Sequence, residues 1–166
     1  MVSRKLDPEE ALSGPLYGVA ALLILIPAAD FVFTVPALSI SNAQWRLGAV
    51  SLLSGYTTMP ILGLALALVV SAIRKEPRVQ RALVVACLAI ALGLAGLSAG
   101  FMQDVRELRP SVAGDQRAAF SSMWKRTIIT LLLSTAVLAY MGWKARRMIH
   151  TSSRHKSPTT VHVITK

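Results

Sequence analysis

The sequence predicts an all-α integral membrane protein, a four-helix bundle with both termini in the cytoplasm. Three observations predict it. The 166 residues are 54% hydrophobic and only 16% charged, too little charge to cover the surface of a water-soluble domain. The mean hydropathy is +0.55. The apolar residues also gather into four long runs, and the charges stand almost entirely between them.

A bilayer core of about 30 Å needs roughly 20 apolar residues in a helix, and each run is matched to that length in turn. The first, 16–35, is interrupted only by Asp30. The second, 47–73, holds no charged residue. The third is 82–103, and the last, 127–143, is short but extended by Lys125 and Arg126, whose stems snorkel at its start. Strands are a poor alternative, because the runs are too long and lack the period-2 alternation of a membrane barrel. The chain thus divides into a four-span domain, 1–147, and a polar C-terminal tail, 148–166.

The basic residues orient the spans. Of the 18 Lys and Arg, 12 lie in the N-terminus, the 74–81 connection and the tail, and 6 lie in the other two connections. The positive-inside rule then puts both ends in the cytoplasm, as N-in/C-in, of a bacterial inner membrane. The same placement accounts for the formal charge of +10 without nucleic acid, since the cations flank spans rather than forming one face. The first span reads as a retained anchor rather than a cleaved signal, because three acids precede it in MVSRKLDPEE. No internal repeat relates the two pairs of spans, so an inverted-repeat transporter finds no support.

Small residues mark the helix-packing faces. Ala89, Gly93, Gly96 and Gly100 are spaced 4, 3 and 4 in the third span, and Gly48, Gly55 and Gly63 are spaced 7 and 8 in the second. Each set shares one helix face and lets another backbone approach closely. Two readings stay open: packing inside the bundle, or docking of another subunit's helix, a lipid or a flat pigment. Pro60 removes the hydrogen bond to the Tyr56 carbonyl and should kink the second helix, with Tyr56, Thr57 and Thr58 forming a small polar spot. Pro27 should act in the same way on the Leu23 carbonyl.

Asp30 is the one formal charge inside a span, and a carboxylate at mid-membrane costs about 2.5–3.5 kcal/mol on insertion scales. Its expected partner is Arg46, which the next connection returns to the same membrane face, giving an intramembrane ion pair. Its alternative role is proton or cation coupling. Trp45, Trp124 and Trp143 stand beside Arg46, Lys125 and Lys144 at span ends, as interfacial anchors do. Asp115 is the expected N-cap of a helix entering the last span. The terminal TTVHVITK has the β-branched character to add a strand to a partner's sheet.

The residues of common membrane chemistry are missing from the spans. No His falls in any of them, which excludes His-ligated haem, and Cys87 is the only cysteine, so no thiol pair forms within the chain. His150, His155 and His162 match no defined metal spacing. No P-loop appears. The sequence therefore predicts no catalytic residue, no metal site and no cofactor beyond a bound lipid or pigment.

The stretch Trp45-Arg46-Leu47-Gly48-Ala49-Val50, with Gly55, Pro60 and Gly63 following, resembles a pattern in small four-span bacterial membrane proteins without assigned activity. The resemblance covers about one span and implies no substrate. The function expected is a non-catalytic accessory or scaffolding subunit of a larger membrane complex, photosynthetic or respiratory. Its partners would be other membrane subunits at the small-residue faces, lipids, and a contact through the C-terminal tail. The alternative is a small oligomeric transporter or channel coupled through Asp30.

Overall fold

The computed structural model describes residues 8–35 and 41–154, with side chains described from 14 to 148. Among these residues it is all-helical. The helices are α1 (Pro8–Thr34), α2 (Ala43–Tyr56), α3 (Thr58–Ile73), α4 (Pro77–Leu108) and α5 (Arg117–Arg154), with a 3-10 turn at Arg109–Ser111. Three apolar stretches are long enough to cross a membrane: Gly14–Thr34, Pro77–Ser111 and Arg117–Met148. Helices α2 and α3 make a fourth only if taken together, because they are bent by 43° at Thr57.

That bend lies where Pro60 predicts it. Proline has no N–H to offer the Tyr56 carbonyl, so the helix ends at Tyr56 and restarts at Thr58. The backbone resumes with Ile61 N donating to Thr57 O at 3.2 Å. Pro27 has no such effect, and α1 continues through it as one helix. The start of α2 is set by Asn42, whose side-chain oxygen accepts from Gln44 N at 2.9 Å and Trp45 N at 3.4 Å. The cap places Trp45 and Arg46 inside the helix, ahead of the predicted start at Leu47.

Helix α3 ends in a Schellman turn: Glu76 N donates to Ser71 O and Lys75 N to Ala72 O. Lys75 takes the left-handed position at φ 53 that glycine usually fills, and Pro77 opens α4 at its first turn. Asp115 is not the N-cap of α5. The helix begins at Arg117, and its first bond runs from Phe120 N to Gln116 O at 3.0 Å. Helix α5 also continues past the predicted end of the four-span domain to Arg154. The histidines and TTVHVITK of the tail lie outside the described side chains, as do residues 36–40.

The core sits mainly between the antiparallel pair α4 and α5. Cys87, Leu131 and Leu138 are sealed there with Leu64, Val84, Ala91 and Leu94 around them. A second cluster of Leu47, Phe101 and Val105 closes the end where α2 begins and α4 finishes. Helix α1 is peripheral and packs on α3. Large apolar side chains face outward along the helices, among them Leu25, Phe33, Leu92 and Leu133, with exposures from 61% to 87%. Water would penalise such a surface at about 25 cal/mol per Å², whereas lipid accepts it.

Candidate functional site

The polar features concentrate on α2. Arg46 grips Asp104 with both Nε and Nη2, the Nε contacts being 3.2 and 3.1 Å to the two carboxylate oxygens. The Asp104 side chain is 9% exposed and that of Arg46 34%. The predicted Asp30–Arg46 ion pair is therefore replaced. Helix α4 runs on to Leu108, so Asp104 shares the buried face of Phe101 and Val105 and meets α2. Asp30 instead stands exposed on α1, which packs mainly against α3. Sequence reasoning missed Asp104 because it placed the end of the span at residue 103.

Below the ion pair, a seam of hydroxyls joins α2 to α5. Ser51 and Thr127 are 3.2 Å apart, as are Thr57 and Ser134. Thr57 Oγ1 also donates to Ser54 O at 2.9 Å, and Ser54 Oγ donates to Ser51 O at 2.7 Å. With its own proton on Ser54 O, Thr57 must accept from Ser134. Every hydroxyl of the seam is partnered, as burial in an apolar bundle requires. Of the polar spot expected at the kink from Tyr56, Thr57 and Thr58, only Thr57 belongs to this seam, and Thr58 is exposed. Ser51, Ser54 and Thr57, each three residues apart, were the seam's unused signal.

The glycines separate into two kinds. A Cβ on Gly63 would stand 2.7 Å from Ala20 O and 2.8 Å from Ile24 Cγ1, so this glycine lets α1 and α3 touch. Gly142 plays a similar part against Leu88, which a Cβ would meet at 3.0 Å, and it was not singled out from the sequence. Gly48, Gly55, Gly93, Gly96 and Gly100 have nothing within 4 Å of such a Cβ, and Ala89 is exposed. Packing inside the chain therefore accounts for Gly63 but not for the other predicted small residues.

The tryptophans differ in setting. Trp124 packs against the second core cluster, with Lys125 Nζ 5.9 Å from its ring centroid. Trp143 is half exposed, with the Arg147 guanidinium 3.9 Å from its ring centroid. Trp45 is partly buried, and its indole N–H is buried with no hydrogen-bond partner among the described residues.

Between α1 and α4 lies a groove floored by α2 and α3. Its wider part, about 540 Å³, is bordered by Trp45, Arg46, Gln103, Asp104, Gly96 and Gly100. A narrower part of about 290 Å³ runs on past Pro27, Ile61, Ile90 and Leu138. The two parts share Phe31 and Leu53 in their walls.

Among the described residues these features define an all-helical chain with membrane-length apolar helices, an ion pair joining α2 to α4 and an outward small-residue face. Comparison with protein-family models, curated proteins and solved structures gives no match.

Proposed function

We propose that this chain is a non-catalytic accessory or scaffolding subunit of a larger membrane complex. In this reading α2 and α3 act as one bent span of a four-span bundle in a bacterial inner membrane, with both termini cytoplasmic. The observation that carries it is the open face of α4. Gly93, Gly96 and Gly100 leave space that no described residue uses, and Gly-x-x-x-Gly spacing suits close approach of a second helix. Small residues that serve no packing within the chain are explained by a backbone brought from outside it.

The competing reading is a small transporter coupled through Asp30. The exposure of Asp30 on a lipid-length helix favours it, since an intramembrane carboxylate is a functional site by default. Against it, Asp30 lies four residues from the α1 end at Thr34, about 6 Å of helix rise, where a carboxylate reaches the interface. Flux in reconstituted vesicles under an imposed proton or sodium gradient separates the two. The scaffold reading expects no difference between the wild type and Asp30→Asn. Flux that is lost in Asp30→Asn, with assembly intact, replaces it with the transporter.

A further inference from the structure

We infer that the basic cleft where α4 gives way to α5 binds a phosphate ester anion, and that the anion is the headgroup of an anionic membrane lipid. The inference rests on the membrane-length helices and not on the scaffold role, and its residues lie apart from the glycine face of α4.

The cleft, about 630 Å³, opens where the 3-10 turn Arg109–Ser111 leads toward the start of α5. Arg109, Arg117 and Lys125 border it together with Phe120, Ser121 and Trp124, and no acid stands in its wall. Among the described residues the ion pairs are Arg46–Asp104 and Arg74–Glu76, so none of the three cations has a carboxylate partner. Glu107 and Asp115 are near in sequence but exposed and outside the wall. The chain also holds two of the cations in place. Arg117 Nε donates to Val112 O at 3.4 Å across the connection, and Lys125 Nζ stands 5.9 Å from the Trp124 ring centroid. Three like charges around one space repel one another, and an anion entering it is attracted by all of them. Guanidinium N–H groups match phosphate oxygens in geometry, and Ser121 adds a hydroxyl donor.

Depth selects a lipid over a soluble anion. Lys125 lies two residues before the apolar run 127–143, about 3 Å of helix rise, and Arg109 six residues past the run 82–103, about 9 Å. Headgroups occupy roughly 5–7 Å beyond the hydrocarbon on each side. The cations therefore bracket the phosphate layer, and Trp124 is an aromatic of the kind that sits at that level.

The test is native mass spectrometry of the full chain in mild detergent, titrated with dioleoylphosphatidylglycerol, dioleoylphosphatidylcholine and inorganic phosphate. The wild type should hold one phosphatidylglycerol per chain, more tightly than phosphatidylcholine, and millimolar phosphate should not displace it. Arg109→Gln, Arg117→Gln and Lys125→Gln should each weaken that binding about fivefold. Ala118→Trp fills the cleft from an exposed wall position without removing a charge and should weaken it at least as much. Two neighbours serve as controls. Arg126→Gln loses the same charge at the same depth, and Ala119→Trp adds the same bulk, but both positions are exposed and outside the wall, so both should bind as the wild type does. Circular dichroism checks that each variant is folded, and the glutamine variants suffice if Ala118→Trp is not. Three results would overturn the inference: phosphatidylcholine held as tightly as phosphatidylglycerol, a loss in Arg126→Gln equal to that in Arg117→Gln, which would mean diffuse surface charge, or displacement of the lipid by phosphate, which would make the cleft a site for a soluble anion.

Discussion

Replacing Gly63 by alanine should loosen α1 from the rest of the molecule. The added methyl would sit 2.7 Å from a backbone oxygen of α1 and 2.8 Å from an Ile24 carbon, against a comfortable separation of about 3.5–4.0 Å. Because one obstacle is the Ala20 backbone, rotamer adjustment cannot relieve the clash, and α1 must withdraw by roughly 0.5–1 Å. Overpacking of this kind costs about 1–3 kcal/mol. Alanine recovers about 0.5–1 kcal/mol of that through its better helix propensity, leaving a net loss centred on about 1 kcal/mol. Little else compensates, since only 6% of the α1 span is buried. At about 2–4 °C per kcal/mol for a chain of this size, thermal unfolding in mild detergent should shift down by roughly 2–4 °C. Gly93→Ala is the matched comparison: its methyl meets nothing, so only the propensity gain remains and the transition should hold or rise. If Gly63→Ala proves as benign as Gly93→Ala, the close approach of α1 and α3 is refuted.

Two further outcomes follow from the polar residues. Arg46→Ala leaves Asp104, 9% exposed, without its guanidinium; breaking a fully buried pair costs about 3–5 kcal/mol, and the partial exposure of Arg46 reduces this to about 1–3 kcal/mol. A double-mutant cycle on unfolding should give a coupling of about 1 kcal/mol or more for Arg46 with Asp104 and close to zero for Arg46 with Asp30. For topology, single cysteines at Ala113 and Pro77 in a Cys87→Ser background should report opposite sides, with 113 labelled by an impermeant maleimide on intact cells and 77 only after permeabilisation. External labelling at 77 would overturn the positive-inside assignment.

The helical class, the apolar stretches and the bend at Pro60 were legible in the sequence, because length, hydropathy and a missing N–H act locally. Tertiary choices were not. Asp30 and Asp104 are both acids toward the membrane face that holds Arg46, and only the closer packing of α2 on α4 than on α1 selects between them. Gly63 and Gly96 look alike in a run of small residues, yet one touches a neighbouring backbone and the other touches nothing. Gly142 escaped notice because it is the one glycine of its span, its face being otherwise marked only by Ala139 and Ala145. Helix ends also moved: α4 passes its predicted end at 103, and α5 begins at Arg117 well before 127. Polar residues continue a helix readily once outside the hydrocarbon, so hydropathy marks the membrane-length stretch rather than the helix.

The central claim is that the open face of α4 receives a helix from another protein. Extraction of the native membrane in mild detergent, with a photo-reactive residue in place of Gly93, tests it most directly. The scaffold account predicts a stoichiometric crosslink to a different membrane protein, abolished together with co-purification by Gly96→Leu. Crosslinking confined to a second copy of the chain, or to lipid alone, would contradict it.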